Sequence, residues 1–235
     1  MPGIESGWWR VVGLILLSYL CGAVPFGLII GRLKGVDVRT RGSCNIGATN
    51  VGRILGRPYG ILVFVLDGLK GFLPMTLARF VLFRSAGGGE SAGPEYLPHL
   101  LWVLAAVACV LGHMFPIYLK FKGGKGVATS LGVGLGIYPY YTLAGLAAFA
   151  VWAIVLGVSR YVLLSSIVAV IAFPANFAVL AAWNHDRWGA FSTLWPLHLF
   201  GIVVAALVVY RHGANIGRLL AGTEHKIGGS SSPRN

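Results

Sequence analysis

Two stretches of this sequence crowd small residues, neutral hydrogen-bond donors and cations together. The first reads Arg41-Gly-Ser-Cys-Asn-Ile-Gly-Ala-Thr-Asn50, with Arg53 one turn on. Small residues let backbone N–H groups approach an anion; Ser43, Asn45, Thr49 and Asn50 add neutral donors, and Arg53 adds a bidentate cation. That combination suits a phosphate group. The plainer alternative is a tight turn with helix caps at a membrane surface. The second stretch reads His113-Met-Phe-Pro-Ile-Tyr-Leu-Lys-Phe-Lys-Gly-Gly-Lys-Gly-Val-Ala-Thr129. Here Gly123, Gly124 and Gly126 surround Lys125 and open into a helix. Exposed amides, a lysine and a helix N-terminus together attract an anion. Gly126 stands where a Walker A loop needs Ser or Thr, so nucleotide hydrolysis is disfavoured. Simple anchoring at a membrane surface is the alternative, and it suffices for Lys120 and Lys122.

The two stretches resemble each other. Residues 48–56 (ATNVGRILG) and 128–136 (ATSLGVGLG) share Ala, Thr, Gly, Leu and Gly at matching positions. The match is short, and it points to two similar anion-binding loops and hence two phosphate-bearing substrates. Further candidates are Arg160 with Ser165 and Ser166, and His212 with Asn215. The serines can equally bond back to their own helix. Gly213 can end a span and Asn215 can cap a short interfacial helix closing near Gly222. Asp67 and Lys70 sit one turn apart inside an apolar stretch, as a functional pair or a structural ion pair. Three cysteines, Cys21, Cys44 and Cys109, share no framework spacing, so neither a disulfide nor a metal site is implied.

The elements that must position these residues are membrane spans. Hydrophobic residues make up 56% of the chain and charged residues 11%, too few charges to cover a water-facing surface. The net charge of +12 sits in short loops, which favours anionic lipid headgroups and anionic substrates over nucleic acid. A span needs about 20 apolar residues. Candidates cover 8–31, 58–83, 98–119, 161–183 and 191–210. The stretch 127–158 is too long for one span and is split at Tyr138-Pro139-Tyr140. The first span is expected to be a retained helix, not a cleaved signal. The fold expected is therefore all-α and polytopic, with seven transmembrane helices. Fourteen of the nineteen Lys and Arg residues fall in one set of loops, which puts that set in the cytoplasm, the N-terminus outside and the C-terminus inside. Residues 1–221 read as one membrane domain, and 222–235 as a polar, mobile tail.

These motifs resemble the bacterial acyl-phosphate:glycerol-3-phosphate acyltransferase family, the PlsY type. The resemblance rests on residues 42–50, on Gly112-His-Met-Phe-Pro116 leading into 121–129, on Arg160-Tyr161 with Ser165-Ser166, and on His212, Asn215 and Glu224. It implies transfer of a fatty acyl group from acyl phosphate to the sn-1 hydroxyl of glycerol 3-phosphate, giving lysophosphatidic acid and phosphate. It implies functional roles for Ser43, Arg53, Lys125, His212 and Asn215. Asn45, Thr49, Asn50, Gly123, Gly124, Gly126, Arg160, Ser165 and Ser166 are expected to line the substrates, and Glu224 to serve integrity. No cofactor and no metal is expected. The implied partners are the two substrates, membrane lipid and, transiently, the soluble enzyme that makes acyl phosphate. The implied location is the bacterial cytoplasmic (inner) membrane. Two departures from the family pattern are Cys44, where Gly is expected, and a longer outer loop over 85–98.

The residues favour direct transfer without an acyl-enzyme. No Asp follows His113 at the spacing of the His-x4-Asp acyltransferases, since position 118 is Tyr118. The donor phosphate can take the hydroxyl proton while Ser43, His212 and Asn215 position the acceptor. A thiolate at Cys44 is the nucleophilic alternative. An organic-phosphate transporter is the main non-enzyme reading, but transport sites lie near the midplane at broken helices. A lipid-binding structural protein would leave His212, Asn215 and the neutral donors unexplained.

Overall fold

A computed structural model describes residues 8–83 and 94–227. The regular elements among them are helices: α1 (Trp8–Ala23), α2 (Phe26–Leu33), α3 (Ala48–Leu55), α4 (Arg57–Phe83), α5 (Leu97–Met114), α6 (Val127–Gly136), α7 (Thr142–Ser159), α8 (Val162–Trp183), α9 (His185–Trp188), α10 (Phe191–Arg211) and α11 (Gly213–Leu220). Six segments are long and apolar enough to cross a membrane, with α1 and α2 counted as one and α5 extended to Leu119. The seventh expected span, α6, has ten residues. At 1.5 Å per residue it is about 15 Å long, half the hydrocarbon thickness.

Three boundaries differ from expectation for local reasons. The first span is broken at Val24-Pro25, because Pro25 has no N–H to donate. At the break the Val24 carbonyl accepts from Phe26 N–H at 3.2 Å and from Lys70 of α4 at 2.7 Å. The third span ends as a helix at Met114, ahead of Pro116, and continues as a 3₁₀ turn over Ile117–Leu119. Part of the tail expected to be mobile is held: Ile227 N–H donates to the Arg160 carbonyl at 2.8 Å, and Lys226 lies 5.2 Å over the Tyr161 ring. Residues 228–235, and 85–93 of the outer loop, lie outside the described residues.

Helix α4 is the axis of the site. Both α3 and α6 pack on it, each through a glycine. A methyl at Gly52 would stand 3.3 Å from the Gly60 Cα, and one at Gly132 would run into the Gly68 backbone. Gly52 and Gly132 are one of the two glycine pairs that the similar stretches share, so that likeness has a packing basis. At the far end of the bundle, aromatic rings close the core: Tyr140 on Trp188 at 5.5 Å and Tyr96 on Trp195 at 5.6 Å. Glu95 accepts a 2.9 Å hydrogen bond from Thr193 there. The motif loops meet at the opposite end.

Candidate active site

The first motif loop owes its shape to Asn50, which is 1% exposed. Its Oδ1 accepts from the Ser43 N–H at 2.8 Å. Its Nδ2 faces the carbonyls of Val38, Arg41 and Asn45 at 2.9, 3.2 and 2.8 Å. Its side-chain hydrogen bonds hold the loop, and Asn50 also lines the cavity described next. Asn45 Oδ1 accepts from the Gly47 N–H at 2.8 Å and leads the chain into α3. Cys44 holds φ 54°, a left-handed conformation that glycine adopts without penalty. The residue type expected from the family resemblance is thus also the one this backbone prefers.

The second loop is held from below. Gly123 and Gly124 N–H groups donate to the Met114 and His113 carbonyls at 3.2 and 3.1 Å. Their amides are therefore engaged, and neither residue lines the cavity described next. Their carbonyls are held by Arg211, at 3.0 Å for Gly123 and 3.1–3.2 Å for Gly124. Arg211 also stacks over Phe115 at 5.1 Å. The part of this loop that lines the cavity is Lys125, Gly126 and the first turn of α6. Gly126, at φ 86°, turns the chain into that helix.

These parts enclose one polar cavity of about 240 Å³. Ser43, Asn45, Thr49, Arg53, Lys125, Gly126, His212 and Asn215 line it, as does Ser166. The N-termini of α3 and α6 both open into it, through Gly47-Ala48 and Gly126-Val127. Arg53, from the last turn of α3, and Lys125, just before α6, line the same cavity, as do Arg218, Glu224 and Asp67. Two partial positive ends and three cations thus share one space with two carboxylates.

Lys125 donates to Asn215 Oδ1. Asn215 in turn donates to Glu224 at 2.7 Å, and Arg218 pairs with the same carboxylate at 2.8 Å. Burial pulls Lys125 down to about 8, against the attraction of Glu224 and with help from Arg218, Arg53 and Arg211. His212 lies 2.7 Å from the Val208 carbonyl through Nδ1. A carbonyl only accepts, so Nδ1 carries the proton and Nε2 is left as an acceptor. Burial, and then Lys125, push His212 down to about 4. It is neutral at working pH. Asn215 sits inside α11, and His212 takes the N-cap place for which Asn215 was a candidate.

Arg160 and Ser165 are not among the cavity-lining residues. Arg160 is exposed at the end of α7, and Ser165 Oγ donates to the Tyr161 carbonyl at 2.8 Å. Ser166 Oγ donates to the Val162 carbonyl at 2.8 Å and receives the Trp152 indole N–H at 3.3 Å. Both serines thus make the back-bonds that were their alternative reading. Ser166, Phe64, Val127 and Trp152 are shared with a second, apolar cavity of about 80 Å³ between α4, α6, α7, α8 and α10. Gly134, Gly145, Ala148 and Ala169 keep its walls low, and Phe173 and Phe200 also line it. Sequence reasoning passed over Arg211, Arg218, His113 and this groove. Arg211 and Arg218 look like membrane anchors in a sequence, and the groove has no polar signature.

A cavity lined by Arg53, Lys125 and Arg218 and joined to an apolar groove suits an amphiphile with a phosphate head. Comparison with known proteins agrees with that chemistry. Residues 12–222 match the family described as glycerol-3-phosphate acyltransferase. A glycerol-3-phosphate acyltransferase of Aquifex aeolicus is 43% identical over 229 residues, covering 93% of this chain and all of the relative. One of Geotalea daltonii is 43% identical over 213 residues, covering 90% and 95%. The crystal structure of PlsY, an integral membrane glycerol 3-phosphate acyltransferase, in its glycerol 3-phosphate form, superposes with a TM-score of 0.76 at 40% identity, covering 93% of this chain and 96% of that one. Its lysophosphatidic acid form gives 0.74 at 40% identity, covering 92% and 95%. The likeness spans every motif loop of the cavity, and this chain belongs to the glycerol-3-phosphate acyltransferase family.

Proposed function

We propose that this acyltransferase takes its acyl group from acyl phosphate and places it on the sn-1 hydroxyl of glycerol 3-phosphate. The observation that carries the reading is one cavity into which two helix N-termini open and which Arg53 and Lys125 both line. Two phosphate groups in one space repel each other, and such a pair of sites offsets that repulsion. The apolar groove adjoining the cavity through Phe64, Val127, Trp152 and Ser166 accommodates the acyl chain.

In the reaction the acceptor oxygen attacks the acyl carbon. The acyl carbon–phosphate oxygen bond breaks, and phosphate leaves with the acceptor's proton. His212 Nε2 orients the reacting hydroxyl as a hydrogen-bond acceptor; at about 4 its basicity is too low to hold the proton. Lys125 and the α6 amides hold the acceptor phosphate, while Arg53, Ser43 and Thr49 face the donor. Asn215 keeps Lys125 in place. No acyl-enzyme forms.

The cation-rich end faces the cytoplasm of a bacterial inner membrane, with the N-terminus outside and the C-terminus inside. That face also meets the soluble enzyme that supplies acyl phosphate. Purified protein in detergent tests the donor: acyl phosphate is expected to support transfer to glycerol 3-phosphate, and acyl-CoA and acyl carrier protein are not. Efficient use of either thioester would refute the donor assignment. Capture of an acylated side chain by mass spectrometry would refute direct transfer.

A further inference from the structure

One buried ionic cluster lies on the cavity wall and has no part in the mechanism above. Asp67 of α4 and His113 of α5 both line the cavity, at 3% and 4% exposure. Lys70 stands 2.7 Å from Asp67 Oδ1 as an ion pair and directs a hydrogen bond to Val24. No aligned hydrogen bond reaches Asp67 Oδ1, and none reaches His113 Nδ1, which is 3.8 Å from the same oxygen. A buried carboxylate held by one ion pair alone keeps acceptor capacity, so a further donor fits here.

The other acceptors on the wall are already engaged. Asn45, Asn50 and Asn215 each use Oδ1 on a protein donor, and both Glu224 oxygens accept from Asn215 and Arg218. The Ser43 and Thr49 hydroxyls line the same cavity as the cations, where an anion accepts their hydrogen bonds. Among the described residues two acceptor sites remain, His212 Nε2 and the Asp67 carboxylate with the His113 ring beside it. The acceptor substrate has two hydroxyls, one that reacts and one that does not. We propose that Asp67, with His113 beside it, accepts the hydrogen bond of the non-reacting secondary hydroxyl and so selects glycerol 3-phosphate over phosphorylated alcohols that lack it. The assignment rests on the acceptor reading given above. Lys70 makes it possible, because it neutralises a carboxylate that would otherwise repel the phosphates.

The test compares kcat/KM for glycerol 3-phosphate and 3-hydroxypropyl phosphate, which keeps the primary hydroxyl and the phosphate but lacks the secondary hydroxyl. The full-length protein is expected to prefer glycerol 3-phosphate by at least about tenfold. Asp67→Asn/Lys70→Gln removes both charges together and leaves neither buried alone. It is expected to bring the preference to within about threefold, chiefly by loss on glycerol 3-phosphate. General damage to the fold lowers both substrates alike and leaves the ratio where it was. If the double variant does not fold, Asp67→Glu keeps the ion pair and lengthens the arm, and the ratio is expected to change at least about threefold. A wild-type preference within about twofold, or a variant that keeps the wild-type ratio, overturns the inference and leaves the acceptor reading standing. A wild-type protein without turnover on glycerol 3-phosphate overturns both.

Discussion

Lys125 is expected to set the upper pH limit of the reaction. It is held at about 8 in the folded protein, against an ordinary 10.5, chiefly by burial. The unfolded chain therefore binds more protons between about pH 8 and 10.5, and this lysine favours the fold more as pH rises through that window. Keeping it charged at neutral pH costs the folded protein about 3 kcal/mol. An anion beside the ammonium offsets that cost, so below pH 8 the buried charge is ready for phosphate. Above pH 8 binding must first take up a proton. The value of kcat/KM for glycerol 3-phosphate is then expected to fall about tenfold per pH unit, reaching about two decades near pH 10. His212, at about 4, adds no limb near neutrality; the acidic limb belongs to the substrate phosphate, near pH 6. The assay is a pH profile at saturating acyl phosphate and fixed ionic strength. Calorimetry in buffers of different ionisation enthalpy adds the proton count, close to one taken up at pH 9 and close to none at pH 7. Lys125→Arg stays charged throughout and is expected to lose the alkaline limb whatever its absolute rate. A wild-type profile flat to pH 10, or the same limb near 8 in Lys125→Arg, would refute the reasoning.

Arg211→Lys keeps the charge but loses the fork that spans two carbonyls, and kcat/KM is expected to drop about 10- to 100-fold with little change in melting temperature. Gly145→Leu fills the apolar groove; losing the seats of two methylenes, at about 0.8 kcal/mol each, predicts a fall of roughly tenfold for long-chain donors and much less for short ones, read from chain-length series. Cys44→Gly is expected to keep full transfer activity and to gain up to about 1 kcal/mol of stability by thermal melting, because φ 54° suits glycine. Loss of transfer in that variant would reinstate the thiol as a nucleophile. Cys44 is also the exposed thiol of the three, so a membrane-impermeant maleimide is expected to label it in inverted vesicles and not in right-side-out ones.

Much of the frame was legible because apolar runs and prolines act locally. Pro139 marks the turn between α6 and α7 as expected. Pro25 breaks the first span without notice, since apolar residues surround it; Pro74, Pro174 and Pro196 sit inside unbroken helices. At Pro25 a partner far along the chain, Lys70, joins Phe26 N–H on the Val24 carbonyl, a contact that local sequence does not show. The same limit applies inside the site. Ser43, Arg53, Lys125, His212 and Asn215 were nominated by type and spacing, and the fold brings all five to one cavity. Type alone does not separate Asn50, whose groups hold the loop, from Asn45, which keeps Nδ2 without a partner. Nor does it show that the Gly123 and Gly124 amides turn inward. Arg211 and Arg218 were invisible for the opposite reason, since a cation at a span's end always has a simpler explanation.

The glycine contacts of α4 carry a further consequence. Gly60 seats α3 and Gly68 seats α6, eight residues along one rigid rod, or about 12 Å. If the two reactants sit at α3 and α6 as proposed, their separation is written into backbone, as the marks on a gauge, and not into the side chains around them. Contact residues can drift with substrate preference while the gauge stays fixed. A single residue inserted between those two glycines would rotate one seat by about 100° and uncouple the two half-sites, with every contact residue still in place.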